Sequence, residues 1–200
     1  MTTLLKIFLP IYFALFFGLA MFWRSYLAWK RTGVNPYKLG NGDSVHDFVG
    51  KLFRVTLIGS AVIVLAFTFS DLLYAMLMPI FWLNSPVFAV VGLVLLTLAL
   101  IWVLVAQLQM GDSWRIGIDE KTASPLVQRG LFGISRNPIF LGMSVMLVGM
   151  LLTLPTAATL MVTILGIILI HIQVRLEEPF LLENYGNAYR DYQKRVRRWI

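Results

Sequence analysis

The chain has 200 residues, 58% of them hydrophobic and only 14% charged, with a formal net charge of +7 and no cysteine. This balance excludes an ordinary water-soluble domain, in which about a quarter of residues are charged, and it excludes disulfides, thiolate metal sites and cysteine nucleophiles. The basic excess follows membrane topology, as shown below, so it raises no expectation of nucleic-acid binding.

Five apolar segments are predicted in chain order, at about 7–29, 52–78, 87–109, 138–154 and 156–174. Crossing ~30 Å of hydrocarbon takes about 20 helical residues, so the first three are long enough and the fourth is short. The first follows Lys6 and runs through Trp23 without a small-residue cleavage site, and is read as a retained anchor rather than a signal peptide. The loop after it, with Gly33, Asn35-Pro36 and Gly40-Asn41-Gly42, is turn-rich. Thr153-Leu154-Pro155-Thr156 leaves room only for a tight turn, which makes segments four and five a helical hairpin. The stretch 180–199 repeats Leu181, Tyr185, Tyr189, Tyr192, Val196 and Trp199 at three- or four-residue spacing, the mark of an amphipathic helix.

Charge sets the expected orientation. Lys30, Arg31, Lys38, Lys51 and Arg54 fall in the first connection, Arg115, Lys121, Arg129 and Arg136 in the third. Arg175, Arg190, Lys194, Arg195, Arg197 and Arg198 follow the last segment, while 79–86 and 153–156 carry no lysine or arginine. Basic loops stay inside, so the N-terminus is expected outside and the C-terminus in the cytoplasm. Trp23, Tyr26 and Trp29, with Phe81 and Trp82 at the other end, read as interface anchors. The fold expected is an all-α integral membrane protein of five transmembrane helices with a C-terminal amphipathic cytoplasmic helix.

Chemistry concentrates at the cytoplasmic ends. Asn137 before Pro138 has the form of a helix start, asparagine as N-cap and proline in the first turn, with Arg136 among headgroups. On segment five His171, Arg175 and Glu178 share one helix face, and Gln173 and Glu177 lie nearly opposite. Pro179 deprives the Arg175 carbonyl of its amide, so a bend is expected there that aims the tail across the hairpin mouth. No phosphate-cradling glycine loop, zinc-ligand spacing or nucleophile elbow is present.

The string Leu126-Val127, Gly130, Phe132, Arg136-Asn137-Pro138, Phe140 and Gly142 is followed by Glu177-Glu178, Tyr185-Gly186, Tyr189, Tyr192 and Arg195-Val196. It resembles the isoprenylcysteine carboxyl methyltransferases, their bacterial and archaeal relatives and, more distantly, the phospholipid N-methyltransferases. The resemblance covers roughly the last 90 residues, and Gly111 to Arg115 look like the family's preceding loop. It implies a membrane enzyme using S-adenosylmethionine on the cytoplasmic side, with a lipophilic or lipid-anchored acceptor entering from the bilayer, membrane lipids as partners, and neither nucleic acid nor metal. Residues 1–109 would hold three transmembrane helices and the first cytoplasmic loop, and 110–200 the cofactor-binding region. Carried over, the cofactor residues are Ser124, Pro125, Leu126, Val127, Phe132, Arg136, Asn137, Pro138, Ile139, Phe140 and Glu177. On the substrate side stands Gln173, where the prenylcysteine enzymes carry an arginine for the substrate carboxylate, and Arg175 lies two residues on. Asn137 stands for the family's usual histidine, and Phe132 and Phe140 for tyrosines. Two alternatives share the architecture: an NADPH-dependent enzyme resembling the sterol reductases, and a catalytically silent membrane scaffold. A transporter fits worst, because the first three segments hold almost no polar residues to line a path.

Overall fold

The computed structural model describes residues 1–33, 44–111 and 125–200. The first helical run, Thr2–Thr32, consists of α1 (Thr2–Leu15), a π-helical stretch (Phe16–Trp23) and α2 (Arg24–Thr32). Then come α3 (Val45–Phe69), the short α4 (Asp71–Met76), α5 (Pro86–Met110), α6 (Pro138–Thr153), α7 (Ala157–Tyr185) and α8 (Asn187–Arg195). Serine or threonine starts four of these helices. Ser44, Ser70, Ser85 and Thr156 each accept the backbone amide three residues on, supplying partners for amides a helix start leaves open.

Four helices are long and apolar enough to cross a membrane: Thr2–Thr32, Val45–Phe69, Pro86–Met110 and Ala157–Tyr185. At 16 residues α6 spans only ~24 Å, short of the hydrocarbon thickness. The outer faces are apolar, with Val55, Ile58 and Val62 on α3 and Met161, Ile164 and Ile168 on α7 all exposed. That arrangement suits lipid as the solvent.

Small residues set the closest helix pair. A Cβ on Gly92 of α5 would sit 2.7 Å from the carbonyl oxygen of Gly149 and 2.9 Å from the amide nitrogen of Thr153 on α6. Backbones this close gain dispersion contacts that hydrocarbon solvent cannot replace. Leu9, Phe13, Phe16, Val64, Phe67, Leu96, Met146 and Met150 fill the core between α1, α3, α5 and α6.

Each end of the bundle is tied by polar contacts. At the end holding the N-terminus, Pro79 bridges Thr156, Ile80 donates to the Pro155 carbonyl at 2.7 Å, and Lys6 pairs with Asp71 at 2.8 Å. Toward the other end, buried Arg24 donates to the carbonyls of Gln107 (2.8 Å) and Gly111 (3.1 Å) at the close of α5. Gln107 answers by donating its side-chain amide to the Ala20 carbonyl inside the π-helical stretch, at 2.9 Å.

One expectation for the C-terminal region changes. The helix does not stop at Pro179: α7 continues through it to Tyr185, and the chain turns at Gly186, whose φ of 52° closes the helix. Proline removes one amide, a loss the last turns of a long helix absorb, whereas a positive φ stops the helical path. The amphipathic stretch 180–199 is therefore divided between the end of α7, the short α8 and an extended tail.

Candidate functional site

Asn137 occupies the N-cap position of α6, but its side chain caps nothing. With φ −130° and ψ 54° it lies outside the usual capping geometry, and its Nδ2 donates to the Arg198 carbonyl at 3.2 Å. Ser135 does the local work. Its Oγ accepts the Asn137 amide at 3.1 Å and donates to the same Arg198 carbonyl at 3.3 Å.

Arg136 is not a headgroup anchor. Its Nη2 donates to Glu178 Oε1 at 2.9 Å, and its Nη1 to the carbonyls of Gln193 and Val196, each at 3.2 Å. Glu178 also accepts from Arg198 Nη2 at 2.6 Å and Nε at 3.1 Å. The carboxylate thus joins two guanidinium groups, with side chains 10% (Arg136) and 8% (Glu178) exposed. Arg198 is held protonated above its ordinary range chiefly by the hydrogen bond to Glu178. The Arg136 amide donates to the Arg197 carbonyl at 3.0 Å. The start of α6, the end of α7 and the tail form one lock.

Tyr192 and Tyr189 of α8 fill the space beneath the tail, with Leu126 and Val196 packed against them. Tyr192 Oη donates to the Phe132 carbonyl at 2.6 Å. Burial raises both phenols, Tyr192 to about 12. A phenol raised in the docked state favours docking below its free value of 10.0, and that preference is lost as pH rises from 10.0 through about 12. Tryptic cleavage at Lys194 and Arg195 is expected to accelerate across that window. In Tyr192→Phe, which costs about 1–2 kcal/mol of docking, cleavage is fast already at neutral pH; equal rates for both proteins at neutral pH would overturn this assignment.

The other predicted residues are placed as follows. Gly130, with φ 64° and its Cα side closed by the Gln109 side chain, turns the chain ahead of Phe132, and Gln109 Oε1 accepts the Leu131 amide at 2.8 Å. Phe132 is buried, and Pro125, Leu126 and Val127 lead into its turn. The Pro138 carbonyl accepts Trp102 Nε1 at 2.8 Å, Ile139 packs on the core, and Phe140 is half-buried. Ser124 and the Asp112 to Arg115 part of the preceding loop lie outside the described residues.

On α7, His171 and Arg175 are exposed and Gln173 is buried, whereas Glu178, expected on the face of His171, is buried against Arg136. Arg175 is exposed and folds back on His171, donating to its carbonyl at 3.1 Å, while the His171 ring meets Trp199 edge-on at 5.0 Å. Arg175 is thus not brought beside Gln173. Gln173, 7% exposed, and half-buried Glu177 one turn on make no hydrogen bond or ion pair among the described residues. Adjacent glutamates have therefore divided their tasks: Glu178 is saturated by two arginines and Glu177 is available. Sequence reasoning missed Ser135, Tyr192 and Arg198 as parts of the lock. The signal was the excess of arginine over carboxylate in the tail, which calls for a buried acidic partner. Among the described residues no three His, Asp or Glu side chains gather as a metal site.

Residues 87–188, from α5 into α8, match the family described as phospholipid methyltransferase. A comparison with curated proteins finds no match.

Proposed function

The chain belongs to the phospholipid methyltransferase family, and on that premise we propose that it transfers a methyl group from S-adenosylmethionine to a lipophilic or lipid-anchored acceptor. The family match carries the methyltransferase part of this reading. The free carboxylate of Glu177 beside the saturated Glu178 supports a cationic donor in particular. We place the site on the cytoplasmic side and take α6 as a fifth, short crossing, on the strength of the arginine and lysine distribution.

The donor, when bound, supplies a methyl group already activated on a sulfonium. The chain has groups suited to hold it. Glu177 offers a charge-assisted acceptor for an ammonium, and Phe132 and Phe140 offer aromatic faces to adenine and to positive charge. Asn137 commits its Nδ2 to the tail, which leaves Oδ1 as an acceptor. Because the methyl arrives activated, the work left to the protein is alignment of donor and acceptor and exclusion of water. Gln173, a neutral amide, gives no charge partner to a carboxylate acceptor. An amine acceptor would need a base to take its proton, whereas a carboxylate would not.

Titration of S-adenosylmethionine into the detergent-solubilised protein is expected to show binding that Glu177→Ala weakens about 10- to 100-fold, the range for a lost charged hydrogen bond. Failure of the folded wild-type protein to bind sinks the proposal. Methyl transfer from labelled donor into a lipid extract separates an active enzyme from a silent scaffold.

A further inference from the structure

The last turn of α5 carries a side chain that reaches outside the bundle core. Arg24 donates to the carbonyls of Gln107 and Gly111, at 2.8 and 3.1 Å, and so grips that turn on both sides of Gln109. Half-buried Gln109 accepts the Leu131 amide on Oε1 at 2.8 Å. Seven residues earlier on the same face of α5, Trp102 donates to the Pro138 carbonyl at 2.8 Å. Two side chains separated by about 10 Å of helix rise thus hold both ends of the segment 131–138, which carries Phe132 and Asn137.

The first of these ends gains little from its own bonds. Gly130–Gly133 is a single 3-10 turn, a geometry with poor internal hydrogen bonds. Gly130 enters it at φ 64°, and a Cβ there would lie 2.5 Å from Cδ, Nε2 and Oε1 of Gln109, so the Gln109 amide fills the place a side chain would take. From the other side Tyr192 Oη donates to the Phe132 carbonyl at 2.6 Å. Phe132 is buried, so the backbone that carries it sets where its ring points. That backbone is held between Gln109 of α5 and Tyr192 of α8.

We infer that Gln109 is a positioning residue for the methyl donor, acting through Phe132: its bond to Leu131 fixes the turn that aims the Phe132 ring. This rests on the reading of Phe132 as an aromatic face for that donor. Alignment is the work left to the protein when the methyl arrives activated, and a misplacement of about 1 Å can cost about 100-fold in rate. A side chain on a gripped helix end supplies firmer support than the turn has by itself.

The test compares Gln109→Met, which keeps the bulk and loses the acceptor, with Gln109→Glu, which keeps an acceptor, in the full-length protein in detergent. Without donor, the Leu131 amide should exchange its hydrogen faster in Gln109→Met and near the natural rate in Gln109→Glu. Affinity for S-adenosylmethionine should fall about 2- to 10-fold in Gln109→Met, the range for one lost hydrogen bond, and recover in Gln109→Glu. In a Phe132→Leu background the same Gln109→Met change should move donor affinity less than about twofold, because the two residues are coupled. Melting of either Gln109 variant should fall by no more than about 5 °C. Unchanged Leu131 exchange, equal loss of affinity with and without Phe132, no recovery in Gln109→Glu, or a larger fall in melting overturns the inference alone. Failure of the natural protein to bind the donor overturns the methyltransferase reading and this inference with it.

Discussion

Glu178→Ala is expected to destabilise the protein by about 3–5 kcal/mol, the cost of leaving a buried charge unpaired. Its removal strands Arg136, whose side chain is 10% exposed, and releases Arg198. Melting in detergent should fall by many degrees, and trypsin should reach the tail in the folded protein. The double variant Arg136→Met with Glu178→Leu should recover much of that loss, because it removes the stranded charge together with its partner. Unchanged melting in Glu178→Ala would show that the ion pairs contribute nothing measurable. The neighbouring Glu177→Ala provides the contrast: donor binding should drop while melting of the free protein barely moves, since no partner among the described residues is lost.

The second large effect belongs to Gly92. In Gly92→Val the new Cβ meets the Gly149 carbonyl oxygen at 2.7 Å and the Thr153 amide nitrogen at 2.9 Å, backbone atoms that cannot rotate aside, besides Thr153 Cγ2 at 2.7 Å. The α5–α6 pair must separate, at about 2–3 kcal/mol for overpacking, and the Trp102 to Pro138 hydrogen bond on the same pair is strained with it. Thermal melting and donor affinity should both decline, because Pro138 begins the helix that carries Phe140. Gly18→Ala is the control, since a Cβ there meets nothing within 4 Å. Equal melting of the two variants would remove the close-packing argument.

Hydropathy alone located the long apolar helices, and turn chemistry at Thr153 to Thr156 gave the hairpin, because both depend on local composition. The π-helical stretch had no such signal: Phe16 to Trp23 reads as ordinary apolar helix until Gln107 is seen bonded to Ala20. Asn137-Pro138 looked like a capping pair, and proline does open α6, yet the asparagine turned to a carbonyl 61 residues away. Glu177 and Glu178 are indistinguishable by composition. Arg136 at the start of α6 and Arg198, returned through the turn at Gly186, both pair with Glu178, which assigns one to structure and leaves the other free. Pro179 does not end α7, because a single missing amide near the end of a 29-residue helix costs little against the packing around it.

The lock also imposes an order on biosynthesis. Arg136 precedes its carboxylate by 42 residues, which at about 5–20 residues per second is a delay of roughly 2–8 s. On the topology proposed above, α6 enters the bilayer beside α5 during that interval with its arginine uncompensated. Held by Gly92 and Gly149 rather than by charge, the α5–α6 pair can wait, and α7 then delivers Glu178 to a partner already in place. In released chains truncated between residues 155 and 177, which the three earlier apolar helices keep in the membrane, α6 is expected to be shielded from added protease in the natural sequence and to be exposed in Gly92→Val. Indifference to that substitution would mean that insertion does not depend on the glycine seam.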